Sequence, residues 1–197
     1  IARAIGDRKG ECNGLGNLST AYRNLGEHAK AIEHHEQALA IARAIGDRQG
    51  EGGALGNLGV AYDNLGEYAK AIEHHDQALA ISRAIGDRQG EGIALGGLGS
   101  ARRELGDFVA ALSLAKQSLA ISREQGDAQG ENCCLGNIGH AFLRLDRHDQ
   151  AVKHFEQALR IAREIGDARS IGRHLGSLGK AYHKKGQYDR AVDHLTQ

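Results

Sequence analysis

The stretch Ala54–Tyr62, ALGNLGVAY, decides the fold. Glycine at this density reads first as a phosphate-cradling loop, but such a cradle needs a strand before it and a helix after it. Here Leu55, Leu58, Gly59 and Tyr62 stand at i, i+3, i+4 and i+7, one face of an α-helix, and the helical period runs straight through the glycines. Gly56 and Gly59 would each cost roughly 1 kcal/mol relative to alanine in a helix interior. Close approach of backbones is the expected compensation: one glycine where paired helices meet, the other facing a groove. The stretch therefore belongs to a helix and not to a nucleotide site.

Related stretches follow at intervals of forty residues, ALGGLGSAR from Ala94 and CLGNIGHAF from Cys134. Between them GDRKGE at Gly6, GDRQGE at Gly46 and Gly86, GDAQGE at Gly126 and GDARSI at Gly166 keep the same period. A second segment places Tyr68, Ala71, Ile72, His75, Ala78, Leu79, Ser82 and Ile85 on another helical stripe, so each unit is a helix pair. Gly66 between the two helices and Gly46 or Gly86 after the second are αL closures. Asp47 and Asp87 follow as N-cap candidates, each worth roughly 1 kcal/mol. The joins are tight turns with no room for a long functional loop. The units expected are residues 7–46, 47–86, 87–126, 127–166 and a shortened 167–197, after the tail of a preceding unit at 1–6.

The 197 residues include 28 glycines and no proline, methionine or tryptophan. Basic and acidic side chains balance at 25 each, which supplies no global field toward nucleic acid or an anionic membrane. Residues 1–100 nevertheless carry 10 basic and 13 acidic side chains and residues 101–197 carry 15 and 12, so the halves lie 3 charges either side of neutral. Cys12, Cys133 and Cys134 fit neither a metal knuckle nor a disulfide framework and point to a reducing, cytoplasmic setting. No apolar run approaches the ~18 residues of a membrane span, and no signal sequence precedes Ile1.

The unit pattern resembles the tetratricopeptide repeat, with Leu15, Leu18, Tyr22, Gly26, Ala31 and Ala38 in the first unit and Leu55, Leu58, Gly59, Tyr62, Gly66, Tyr68, Ala71, His75 and Ala78 in the second. The match runs through all five units. The resemblance implies an all-α, right-handed α-solenoid of antiparallel helix pairs, a superhelix that binds peptides. Two features depart from it: a period of forty instead of the usual ~34, and Arg43, Arg83, Arg123 and Arg163 where a proline commonly ends the second helix. In these respects the units look most like those of the Pins and LGN polarity adaptors, and like bacterial arrays attached to ATPase switches or CHAT domains.

The paired histidines of EHHEQ (His34, His35) and EHHDQ (His74, His75) point about 100° apart, so neither pair chelates one metal as an i, i+4 pair does. His35 and His75 stand where the resembling family has an aromatic, which implies a packed, hydrogen-bonded role. No Ser/His/Asp or Cys/His constellation appears, so no catalysis, cofactor or metal is expected. Arg102 replaces the aromatic of Tyr22, Tyr62, Phe142 and Tyr182, its head reaching water or an acid such as Glu104 or Asp63, or else a ligand.

In proteins that resemble this one, first helices line a concave face and a partner peptide lies along it. The corresponding positions include Asn17, Asn24, Asn57, Val60, Asn64, Ser100, Arg103, Asn137, His140, Leu143, Arg144, Ser177, Lys180, His183 and Lys184, with Arg173 nearby. Asn17, Asn57 and Asn137 form a ladder of amides that both donate and accept, suited to a peptide backbone. A carboxylate clamp of the chaperone-binding type is not expected, because its lysine position is Gly16, Gly56, Gly96, Gly136 and Gly176. The basic cluster toward the C-terminal end reads either as an ordinary solvated face or as a seat for an acidic partner segment; scarce aromatics argue against RNA.

The expected function is a protein-interaction scaffold, the alternatives being a regulatory segment of a larger ATPase or CHAT-protease switch, or a spacer without ligand. No polar capping helix stands at either end, so end-to-end self-association is also expected.

Overall fold

The computed structural model describes residues 6–195, and the expected tail of a preceding unit lies outside them except for Gly6. Ten helices follow one another among the described residues: α1 (Arg8–Asn24), α2 (His28–Ala44), α3 (Arg48–Asn64), α4 (Tyr68–Ile85), α5 (Arg88–Glu104), α6 (Phe108–Glu124), α7 (Ala128–Arg144), α8 (His148–Glu164), α9 (Ala168–Lys184) and α10 (Tyr188–Leu195). No strand occurs among these residues. The architecture is all-α, a tandem run of helix pairs, as the two interleaved stripes require.

Local chemistry fixes where each helix starts and stops. Asp7, Asp47, Asp127 and Asp167 cap α1, α3, α7 and α9, each accepting the backbone N–H three residues on. Glycines at the turns hold φ between 67° and 85°, the left-handed region where a side chain is strained. Asp146 takes the same conformation without being glycine, with φ 56°. Aspartate tolerates it better than most residues.

The chain divides into two compact units, Ile1–Ala101 and Arg102–Gln197. In the first, α1 packs on α2, α2 on α3 and α3 on α4. Leu55, Leu58, Ala71, Ala78 and Leu79, stripe positions read from the sequence, are buried there together with Ala61 and Ile81, whereas Ile85, expected on the second stripe, is 42% exposed. In the second, α6 packs on α7, α7 on α8, α8 on α9 and α9 on α10, around a core of Leu135, Ile138, Phe142, Phe155, Leu159, Leu175, Leu178 and Tyr182.

The arginines that replace the family's proline have a task the sequence reading missed. Arg43 donates to Glu51 at 2.9 Å, Arg83 to Glu91 at 2.9 Å and Arg123 to Glu131 at 2.8 Å. Each bridge ties a second helix to the next first helix. The bond from Arg43 is the main reason the Glu51 carboxyl lies below its ordinary range. An acid eight residues after Arg43, Arg83 and Arg123 was the available signal; after Arg163 that position is Ile171.

Candidate functional site

The glycines do not bring backbones together. A Cβ on Gly59 would lie 2.5 Å from Cε1 of His75, and one on Gly97 would lie 2.4 Å from the same atom. The imidazole of α4 is thus gripped between bare faces of α3 and α5, and its Nε2 lies 3.3 Å from Asp63 Oδ2. Gly59 lies where the paired helices meet and Gly56 meets nothing within 4 Å, but the neighbour at Gly59 is a side chain and not a backbone. The reason is the ring: a flat side chain occupies the space that approaching backbones would have closed.

His34 and His74, the first of each histidine pair, do something different. His34 stacks on Tyr22 at 5.4 Å between centroids and His74 on Tyr62 at 5.2 Å, while Lys30 and Lys70 lie over the same tyrosines at 5.2 and 5.1 Å. The pairs are split because neighbours on a helix point apart: one ring stacks on a tyrosine, the other is buried in the joint.

In the second unit the joint is apolar. A Cβ on Gly139 would lie 2.6 Å from the fully buried ring of Phe155, and His140 meets that ring edge-on at 5.0 Å. Arg103 donates to Asn137 Oδ1 at 3.5 Å and pairs with Glu104 at 2.6 Å. Glu104 and Asp63, suggested as partners for Arg102, are thus engaged by Arg103 and His75.

Burial, followed by the charges of Arg103, His174, Arg173 and Lys180, pushes the His140 imidazole down to about 4. Arg103, Arg173 and Lys180 thus all disfavour a charge on this imidazole. A cavity of about 660 Å³ opens nearby, lined by Leu143, Arg144, Lys180, His183, Lys184 and the α10 residues Tyr188, Ala191 and Val192, among others. Among the described residues, Lys180, Lys184 and Arg144 make no ion pair with a carboxylate; Arg144 instead lies over the Phe108 ring at 5.0 Å.

The remaining expected groove residues divide by exposure. Asn17, Asn24, Asn64, Arg173, Lys180, His183 and Lys184 are exposed, and Asn57, Val60, Ser100, Asn137, His140 and Leu143 are half-buried. Ser177 departs from the expectation. It is buried and its hydroxyl donates to the Arg173 carbonyl at 2.9 Å. Gly97 at the same repeat position lies against His75 of the preceding second helix, so the inner edge of this position is covered and the short Ser177 with it, whereas Asn57 and Asn137 stay half-buried.

One polar pair was missed. Asn132 Oδ1 and His174 Nε2 lie 2.7 Å apart, both residues buried, linking α7 to α9. Burial, and then the charge of Arg173, lowers His174 to about 4. Asn132 stands where Gly52, Gly92 and Gly172 recur, and His174 where Ala54 and Ala94 recur; two polar departures from an apolar pattern were the signal. Among the described residues no group of three His, Cys, Asp or Glu side chains is placed to hold a metal, and no helix is long and apolar enough to cross a membrane.

Capped helix pairs at a forty-residue spacing, joined by rings laid on glycines, define a helical-repeat protein. The tetratricopeptide-repeat family model matches residues 10–84, 50–124 and 131–197, and the chain belongs to that family. A putative kinesin light chain with nearly identical TPR-like repeats from Podosopora anserina is similar at 21% identity, covering 93% of this chain and 91% of that one, with a TM-score of 0.75. A Rap protein complexed with Competence and Sporulation Factor gives 19% identity and a TM-score of 0.83 over 93% of this chain and 52% of its own. A signal-transduction ATPase with numerous domains and a tetratricopeptide-repeat sensor, from Pyrococcus horikoshii, gives 18% identity and a TM-score of 0.78 over 92% of this chain and 29% of its own. These likenesses concern the fold. No curated protein matches the sequence.

Proposed function

We propose that the chain is a protein-interaction scaffold whose groove captures an extended or helical segment of a partner, with an acidic part of that segment held by α7 and α9. The observation that carries this reading is the cavity whose lining sets Arg144, Lys180 and Lys184 beside Leu143, Tyr188 and Val192. Like charges crowded beside apolar surface favour a ligand that brings carboxylates and an apolar side chain together. In the first unit Asn57, Asn64 and Val60 offer backbone-directed amides and a small apolar contact, and Asn17, Asn24 and Ser100 extend that set. The role is binding, without catalysis, as in the polarity adaptors whose repeats this sequence resembles.

A second reading places the same groove in a regulatory segment of a larger switch. The tetratricopeptide-repeat sensor of the Pyrococcus ATPase is its motive. A P-loop or a Cys/His domain elsewhere in the polypeptide would favour it.

The test is fluorescence polarisation against a library of extended peptides. Wild type should select acidic residues next to a bulky apolar one, and Lys180→Glu with Lys184→Glu should abolish that preference. Asn57→Ala with Asn137→Ala should weaken binding about tenfold or more, two hydrogen bonds at roughly 1 kcal/mol each, with helix content unchanged. Unaltered binding in both variants sinks the groove.

A further inference from the structure

One position inside the first helix of every unit is glycine: Gly16, Gly56, Gly96, Gly136 and Gly176. An interior glycine weakens a helix, so its recurrence calls for a compensating contact. At Gly136 that contact is internal, because a Cβ there would lie 2.9 Å from Cε1 of His174. At Gly16, Gly56 and Gly176 a Cβ would meet nothing within 4 Å, so no described residue uses the space.

In the first unit α3 gathers such positions on one face. Gly53, Gly56, Val60 and Asp63 stand at i, i+3, i+7 and i+10, opposite the buried Leu55 and Leu58. Gly53 is exposed and the other three are half-buried, and a Cβ on Gly53 would also meet open space. The corresponding face of α5 begins with Ile93, which is 61% exposed although it lies inside a helix and far from either end of the sequence. Gly96 and Ser100 follow on that face and are half-buried. The floor is therefore bare backbone with two aliphatic side chains, Val60 and Ile93.

The floor also has a polar end. His75 of α4 is 1% exposed, and its ring enters between Gly59 of α3 and Gly97 of α5 with Cε1 foremost. Its Nε2 lies 3.3 Å from Asp63 Oδ2, while Nδ1 of His75 and Oδ1 of Asp63 have no hydrogen-bond partner among the described residues. The Asp63 side chain is 22% exposed, so the imidazole meets this carboxylate on one side only.

We propose that an amphipathic α-helix of a partner protein lies on α3 and α5 of the first unit, its aliphatic face on the glycine floor and a lysine or arginine against Asp63. This rests on the groove reading above and commits its first-unit part to a helix. Backbone groups inside α3 and α5 are spent on their own helical hydrogen bonds, so the bare floor offers an extended chain no ladder to pair with. It offers a helix close approach, because axes about 8 Å apart need small residues at the contact. Val60 and Ile93 meet the apolar face of such a helix, and Asp63 selects a cation at its edge.

The experiment is fluorescence polarisation of the full chain with two libraries of amphipathic peptides, one stapled as helices and the other unstapled with a central proline. Wild type should select stapled peptides with aliphatic residues at i, i+3, i+4 and i+7 and a basic residue beside them. Gly56→Leu and Ile93→Glu should each weaken the selected peptide at least ~10-fold, with helix content by circular dichroism unchanged. Asp63→Asn should remove the preference for a base and keep binding to neutral helices. Gly56→Ala separates binding from folding: its melting temperature should rise while its affinity falls. Selection of proline-containing peptides over stapled ones overturns the proposal, as does no selection from either library. So does wild-type affinity in both Gly56 variants. Lys180→Glu with Lys184→Glu should bind the selected helix like wild type, so failure of the acidic seat in the second unit and failure of this one are read separately.

Discussion

Residues 75 and 155 occupy the same place in the repeat, in α4 and α8, and the two units treat it differently. In the first unit it is an imidazole held between Gly59 and Gly97 and facing Asp63. In the second it is a phenyl ring seated on Gly139, with His140 edge-on and cations gathered beyond. The slot itself specifies a flat ring over a bare helix. Its polarity is free to vary, and the surroundings vary with it: an acid beside the imidazole, a depressed histidine beside the phenyl.

The sharpest way to break this comparison is to remove the apolar ring. Phe155→Ala empties a fully buried site and should cost about 3–5 kcal/mol, read by urea unfolding as early loss of structure in the second unit. An equal loss in the first unit would mean that the two joints are not separate.

Acid should also separate the units. His35 in the first unit, and His140 and His174 in the second, are held down to about 4 by burial. An unfolded histidine titrates near ~6.5, so between that value and about 4 the unfolded chain binds more protons than the folded one. The stability these groups contribute is complete above pH ~6.5 and is lost as pH falls toward the folded values. Burial also lowers His74 in the first unit, but the second unit holds two groups at about 4 against one, and hydrogen exchange should show it losing protection first. Equal protection in both units across that window would contradict the assignment.

The glycines sharpen the comparison at smaller scale. Gly59→Ala or Gly97→Ala forces the His75 ring aside and should cost about 1–3 kcal/mol. The penalty should shrink when His75 is itself replaced by alanine, because the clash is with that ring. Gly56→Ala, facing open space, should instead stabilise by roughly 0.5–1 kcal/mol. Thermal melts of these variants decide whether ring contact, and not helix position, explains the glycine pattern.

Much of this was legible in the chain. The period of forty, the i, i+3, i+4, i+7 stripes, Asp47 as a cap and Gly66 as a turn are local properties, and each is set by a few neighbouring residues. They determined that the protein is a run of helix pairs, and which leucines and alanines stand on the faces those pairs can bury. The candidate groove was legible only as positions on helix faces.

What meets what across helices was decided by the tertiary structure. No local pattern states that Gly59 bears an imidazole while Gly56 bears nothing, that Ser177 is covered while Asn17 is open, or that Asn132 finds His174 two helices away. Helical period fixes the direction in which a side chain leaves its own axis, but burial depends on the ring, carbonyl or empty space that another helix brings to that point.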